Sequence, residues 1–149
     1  MNTPTLPAPS AREFAWAWSA YTLAAVGLFM FWTWIVGLLI AHFRRNESAE
    51  PLFAAHYRWQ IRTFWFSMLW YTLAMGLIVA SAWPVLREVL RQAPAADAGA
   101  LSLSLDWTAI FTTATGALIG GASMIGIWVW SAYRLVRGMI ALADARAVP

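Results

Sequence analysis

Four residues of this 149-residue chain stand closest to metal or redox chemistry: His42 and His56, with Glu47 and Glu50 between them. Zinc takes about four such ligands in a tetrahedral set. The order His42, Glu47, Glu50, His56 follows no standard ligand spacing. A b-type haem needs two imidazoles aimed at one iron from facing helices, so a small b-haem electron carrier is one reading of the pair. His56 also lies one helical turn from Gln60. That pair could hold a ligand head group or a partner's backbone, or it could lock a helix against its neighbours by hydrogen bonds.

Other chemistries are excluded by residue type. The chain has no Cys and no Lys, and all ten of its basic residues are Arg. Disulfides, thiolate metal sites, a Cys nucleophile, Schiff-base chemistry and the usual phosphate loop therefore drop out. There is no Ser-His-Asp set, no pair of catalytic carboxylates and no His-Glu-x-x-His motif. The sequence reads as that of a non-enzyme without a cofactor or a resident metal.

The elements that must position these residues are apolar. Hydrophobic types make up 61% of the chain and charged types 11%, against about a quarter charged in soluble domains. Three runs are long enough to matter. Run one, about 14–43, carries no charge from Tyr21 to Ala41. Run two, 64–83, lies between Arg62 and Pro84, and its seven Leu, Ile, Phe and Val residues favour insertion by about −2 to −4 kcal/mol. Run three, about 107–133, follows Asp106, a suitable N-cap. About 20 residues of helix cross the roughly 30 Å hydrocarbon layer. Eleven Trp, several of them at run ends, suit the membrane–water interface. The expected fold is all-α, an integral membrane bundle of three transmembrane helices with one or two interfacial amphipathic helices.

The connections fill in that plan. Residues 1–13 read as an extended segment, with Pro4, Pro7 and Pro9, and residues 14–146 as a single membrane domain. The N-terminus has no basic residue and the first run is too long for a signal core, so that run is expected to be retained. Residues 51–62 and 84–92 are amphipathic and are expected to lie in the interface. Residues 93–100 have loop composition, and 101–105 alternate Leu and Ser as a short extended piece. In run three, Gly116, Gly120 and Ser123 share a face on which helices could approach closely, in cis or against another subunit.

Arginine sets the orientation. With three crossings, seven Arg fall on the side of the first connection and the C-terminus, and three on the other. This predicts a periplasmic N-terminus and a cytoplasmic C-terminus. Arg44, Arg45, Arg58, Arg62, Arg134 and Arg137 then form a cytoplasmic collar. Such a collar anchors topology and attracts anionic lipid at about 1 kcal/mol per Arg, and it could also form a specific lipid or acidic-protein site. Arg62 is placed for a cation–π contact with Trp59 or Trp65. The Arg residues flank apolar runs rather than a solvated basic face, so nucleic acid is not expected.

Two blocks carry a family resemblance. One is Ala55-His56-Tyr57-Arg58-Trp59-Gln60-Ile61-Arg62-Thr63-Phe64-Trp65, and the other is Tyr133-Arg134-Leu135-Val136-Arg137-Gly138. The chain resembles a family of small uncharacterised proteobacterial inner-membrane proteins, in which His-x-x-x-Gln-Ile-Arg-Thr-Phe-Trp follows the first helix and Tyr-Arg-x-x-Arg-Gly follows the last. That family is distantly similar to the chloroplast inner-envelope import-channel component. The resemblance implies a fold and a bacterial inner-membrane location, and no biochemical activity.

The expected function is that of an accessory, assembly or scaffold subunit acting through protein and lipid contacts. His56, Arg58, Gln60, Arg62, Trp65, Tyr133, Arg134 and Arg137 are the expected contact residues. Anionic lipids and either a membrane-protein partner or a second copy are the expected partners. The alternatives are the haem carrier above and a channel or translocation component, whose pore would draw on Thr112, Thr113 and Thr115.

Overall fold

The computed structural model describes residues 10–48, 50–92 and 106–148. Among them it is all-helical, with α1 (Ala11–Val26), α2 (Phe31–Glu47), α3 (Pro51–Gln92) and α4 (Trp107–Ala143). Of the segment 1–13 expected to be extended, residues 1–9 lie outside the described residues and 11–13 instead form the first turn of α1, capped by Ser10; the expected extended piece 101–105 and the loop 93–100 also lie outside the described residues. Helices α3 and α4 are long and apolar enough to cross a membrane, with mean hydropathy 1.6 and 1.5 over their most apolar stretches. Only 6% and 11% of those stretches is buried, unlike the core helix of a soluble protein.

The largest departure from expectation is in run one, which is two helices and not one. Helix α1 starts at Ala11, where the Ser10 side chain accepts the Glu13 amide at 3.4 Å and Glu13 faces the positive end of the helix. It ends at Val26, and the chain reverses over Gly27–Met30. A Cβ at Gly27 would overlap the Trp34 Cβ and lie 2.6 Å from the Trp34 nitrogen, so only glycine permits so tight a return. Met30, at φ −125°, leaves the helical region, and Thr33 donates its hydroxyl to the Met30 carbonyl to start α2. The two helices form an antiparallel hairpin. Gly37 sits so close to α1 that a Cβ there would be 2.9 Å from the Ala20 carbonyl oxygen. At the open end, Arg44 pairs with Glu13.

Helix α3 corrects the remaining boundaries. The expected interfacial helices 51–62 and 84–92 are not separate elements, and with run two they form one helix of 42 residues. Pro51 is at its first position, where the missing N–H costs nothing. Pro84 lies inside it without ending it. Helix α4 runs ten residues beyond the expected end at Tyr133.

The chain divides into two compact units, Met1–Ser67 with Trp128–Pro149, and Met68–Ile127. In the first, parts of all four helices enclose a core that includes Tyr21, Trp34, Phe53, His56, Tyr57 and Leu135. In the second, α3 and α4 pack through small residues. Gly116 meets Ser81, and a Cβ at Gly120 would lie 3.0 Å from the Ala74 carbonyl oxygen. Thr113 adds a hydroxyl bond to the Ser81 carbonyl at 2.9 Å. Most other side chains of this unit, such as Trp70, Phe111, Leu118 and Ile125, are exposed.

Candidate functional site

The candidate site lies in the first unit and is built on one stripe of α3. His56, Gln60, Thr63 and Ser67 recur at spacings of four, three and four, so they share a helix face, and all four are buried. Polar groups on a buried face must find partners or carry a desolvation cost.

His56 is fully buried and uses both ring nitrogens. Nε2 lies 2.9 Å from the carbonyl oxygen of Arg146, and Nδ1 lies 3.0 Å from the Tyr21 hydroxyl. A carbonyl only accepts, so Nε2 carries the proton and Nδ1 accepts from Tyr21. This is the neutral ring, and it ties α1, α3 and the segment after α4 together. That segment returns through a Schellman turn. Ala145 takes a positive φ of 50°, its amide bonds to Leu142, and the Arg146 amide bonds to the Ala141 carbonyl at 2.8 Å. Tyr21 fits because Gly138 has no side chain, since a Cβ there would overlap the tyrosine hydroxyl.

Lower on the stripe, α3 and α4 are clamped by Arg134. Its guanidinium lies over the Trp59 ring, 3.6 Å from the centroid, with Trp130 at 5.0 Å. Its Nε donates to the Thr63 hydroxyl at 3.0 Å, and the Trp59 indole donates to the Arg134 carbonyl at 3.2 Å. Thr63 passes its own proton to the Trp59 carbonyl, and Ser67 passes one to the Thr63 carbonyl. Ser131 meets the Ser67 hydroxyl at 2.8 Å. Trp128 closes the set by donating to the Leu28 carbonyl in the α1–α2 turn at 3.1 Å.

Some buried polar atoms lack a partner. Gln60 is 3% exposed, lies beside Tyr21, and has no hydrogen bond of good geometry at either amide atom. The Tyr57 hydroxyl, near Arg44 and Glu13, is similarly unpaired, as is Nη2 of Arg134.

The expected contact residues therefore divide. His56 and Gln60 are interior, Arg134 is half-buried, and Arg58, Arg62, Trp65, Tyr133 and Arg137 are exposed. The cation–π contact expected of Arg62 belongs instead to Arg134. His42 is exposed on α2 with its ring against Phe43. His56 is bonded at both nitrogens, so the structure does not pair the two imidazoles. In the second unit, Gly116 and Gly120 face α3, but Ser123 is exposed and bonds back to the Ile119 carbonyl. Thr112 and Thr115 are exposed, while Thr113 turns to α3.

Tyr21, Trp59, Thr63, Ser67, Ser131 and Arg146 are the members that sequence reasoning missed. A signal existed for two of them. Thr63 and Ser67 extend the His56/Gln60 pair at the same helical period.

No family model, curated protein or solved structure matches the chain.

Proposed function

We propose that this chain is a non-catalytic multi-pass protein of a bacterial inner membrane, an accessory, assembly or scaffold subunit acting through protein and lipid contacts. The observation that carries this reading is how the reactive side chains are used. His56 is bonded at both nitrogens, Arg44 is paired with Glu13 and Glu47, and Arg134 is stacked on Trp59. The groups turned outward are Arg58, Arg62, Arg137, Trp65 and Tyr133, which are suited to contacts. The likeness of the His56–Trp65 and Tyr133–Gly138 blocks to small inner-membrane proteins supports the same location. Replacing Arg58 and Arg62 with Ala should leave insertion intact and shift migration and partner recovery on native gels in mild detergent. Unchanged migration and recovery would refute the docking role.

In the membrane arrangement that follows, α3 and α4 cross the bilayer and the α1–α2 hairpin enters without crossing. Helices of 16 and 17 residues rise about 24 and 26 Å, short of the roughly 30 Å layer. Phe29, Met30 and Trp32 at the hairpin tip are exposed. The ends of the hairpin meet, with Glu13 on Arg44 and the Ser10 amide on Glu50 at 3.2 Å. The N-terminus then shares a side with the C-terminus, in place of the opposite sides expected from three crossings. Eight Arg fall on that side and Arg87 and Arg91 on the other, which supports both termini in the cytoplasm. The chain has no Cys, so single substitutions report cleanly. An impermeant maleimide applied to intact cells should label Arg91→Cys and spare Arg12→Cys, and labelling of Arg12→Cys would overturn the arrangement.

A further inference from the structure

The unit Met1–Ser67 with Trp128–Pro149 carries eight Arg against four carboxylates, and those carboxylates are committed. Glu13 and Glu47 both pair with Arg44, Asp144 pairs with Arg146, and Glu50 accepts the Ser10 amide. Among the described residues, Arg62, Arg134 and Arg137 have no carboxylate partner. Arg137 lies three residues from Arg134 on α4, and Arg62 adjoins Thr63, the residue on α3 that accepts the Arg134 bond. Arg134 cannot swing away. Trp59 holds its plane and Thr63 its Nε, and its Nη2 is buried with nothing to donate to. A fixed guanidinium with two like charges beside it is favourable ground for an anion.

The shape of the neighbouring surface limits which anion. A groove of about 410 Å³ on α4 has Tyr133, Arg137 and Arg146 among its polar lining and Val136 and Ile140 as its apolar floor, so Arg137 is the member of the cluster that enters it, while Arg62 lines a second depression with Arg58 and Trp59. Both floor residues are more than half exposed. Arg137 reaches the Tyr133 hydroxyl at 3.4 Å, which puts polar donors and hydrocarbon on one wall. A free phosphate would use the donors and leave the floor bare. A phosphodiester with hydrocarbon attached would use both.

We propose that Arg62, Arg134 and Arg137, with the groove over Val136 and Ile140, form a site for one anionic phospholipid. The proposal rests on the membrane reading above and makes it specific, because attraction by the whole collar would follow charge number alone. The test is native mass spectrometry of the full chain in neutral detergent, with phosphatidylglycerol or phosphatidylcholine added. One phosphatidylglycerol should be retained in preference to phosphatidylcholine, and excess inorganic phosphate should not displace it. Arg62→Gln with Arg137→Gln should weaken retention about tenfold or more. Arg12→Gln with Arg45→Gln removes the same charge from exposed positions outside the cluster and should change it less than about twofold. If the first pair lowers thermal stability, Arg137→Gln alone carries the test with a smaller loss. Equal losses in both pairs, equal retention of both lipids, or displacement by phosphate would each overturn the site. Arg137→Gln alone leaves Arg58 and Arg62 intact, so lost lipid retention with unchanged partner recovery in that variant separates the lipid site from the scaffold reading.

Discussion

The unit Met1–Ser67 with Trp128–Pro149 buries Tyr21, His56, Gln60, Thr63 and Ser131, whereas the described part of Met68–Ile127 buries Ala74, Ser81, Gly116 and Gly120. The first is held by hydrogen bonds between specific partners, each of which costs free energy if one side is removed. The second is held by close backbone approach, with Thr113 on Ser81 as a polar tie, and leaves most of its large apolar side chains facing outward. Burial of polar groups fixes one geometry, and close approach of small residues allows several. The contrast teaches that specific polar partners fix the geometry of the first unit, whereas the second is a closely packed helix pair with an apolar exterior.

Substitutions can break or sharpen this contrast. The largest effect is expected at Gly27→Val, where the added side chain collides with Trp34 and reopens the hairpin. A loss of about 3 kcal/mol or more should appear as a lowered unfolding midpoint in detergent. An unchanged midpoint would mean that the turn is not tight. His56→Leu leaves the Tyr21 hydroxyl and the Arg146 carbonyl without their partner and should cost about 2 to 4 kcal/mol in the same assay. Its effect on cross-linking between Cys residues placed at Ser81 and Thr113 should be small, because those positions belong to the other unit.

Gly120→Val, which collides with Ile78 and the Ala74 carbonyl, should cost about 1 to 3 kcal/mol and reduce cross-linking between Cys residues placed at Ser81 and Thr113. Equal sensitivity of a first-unit pair to this change would erase the distinction. The smallest effects have the opposite sign. Ala145→Gly suits the positive φ and should stabilise by about 1 kcal/mol. Gln60→Leu removes two buried amide atoms without partners and should be neutral or stabilising by up to about 1 kcal/mol. A clear loss of stability there would show that Gln60 bonds the neighbouring Tyr21 hydroxyl or a trapped water.

The apolar runs made the helical class and two long apolar helices legible, because composition alone carries that signal. Gly116 and Gly120 were legible because a four-residue spacing puts small residues on one face, and Ser123 was added to that face one position too readily. The fold-back at Gly27 was not legible. Glycine is tolerated inside membrane helices, and nothing local announces that Trp34 will lie against it. The partners of His56 were hidden for another reason. Tyr21 is 35 residues away and Arg146 is 90, and no local pattern links them. Arg134 was recognised as a contact residue, but its stacking on Trp59 depends on α3 and α4 lying side by side.

The bond from the Trp128 indole to the Leu28 carbonyl joins residues 100 positions apart. During synthesis that oxygen lacks its indole partner until Trp128 on α4 has been made. The segment made first is therefore fastened last. A chain halted before Trp128 leaves the Gly27–Met30 turn without this tie.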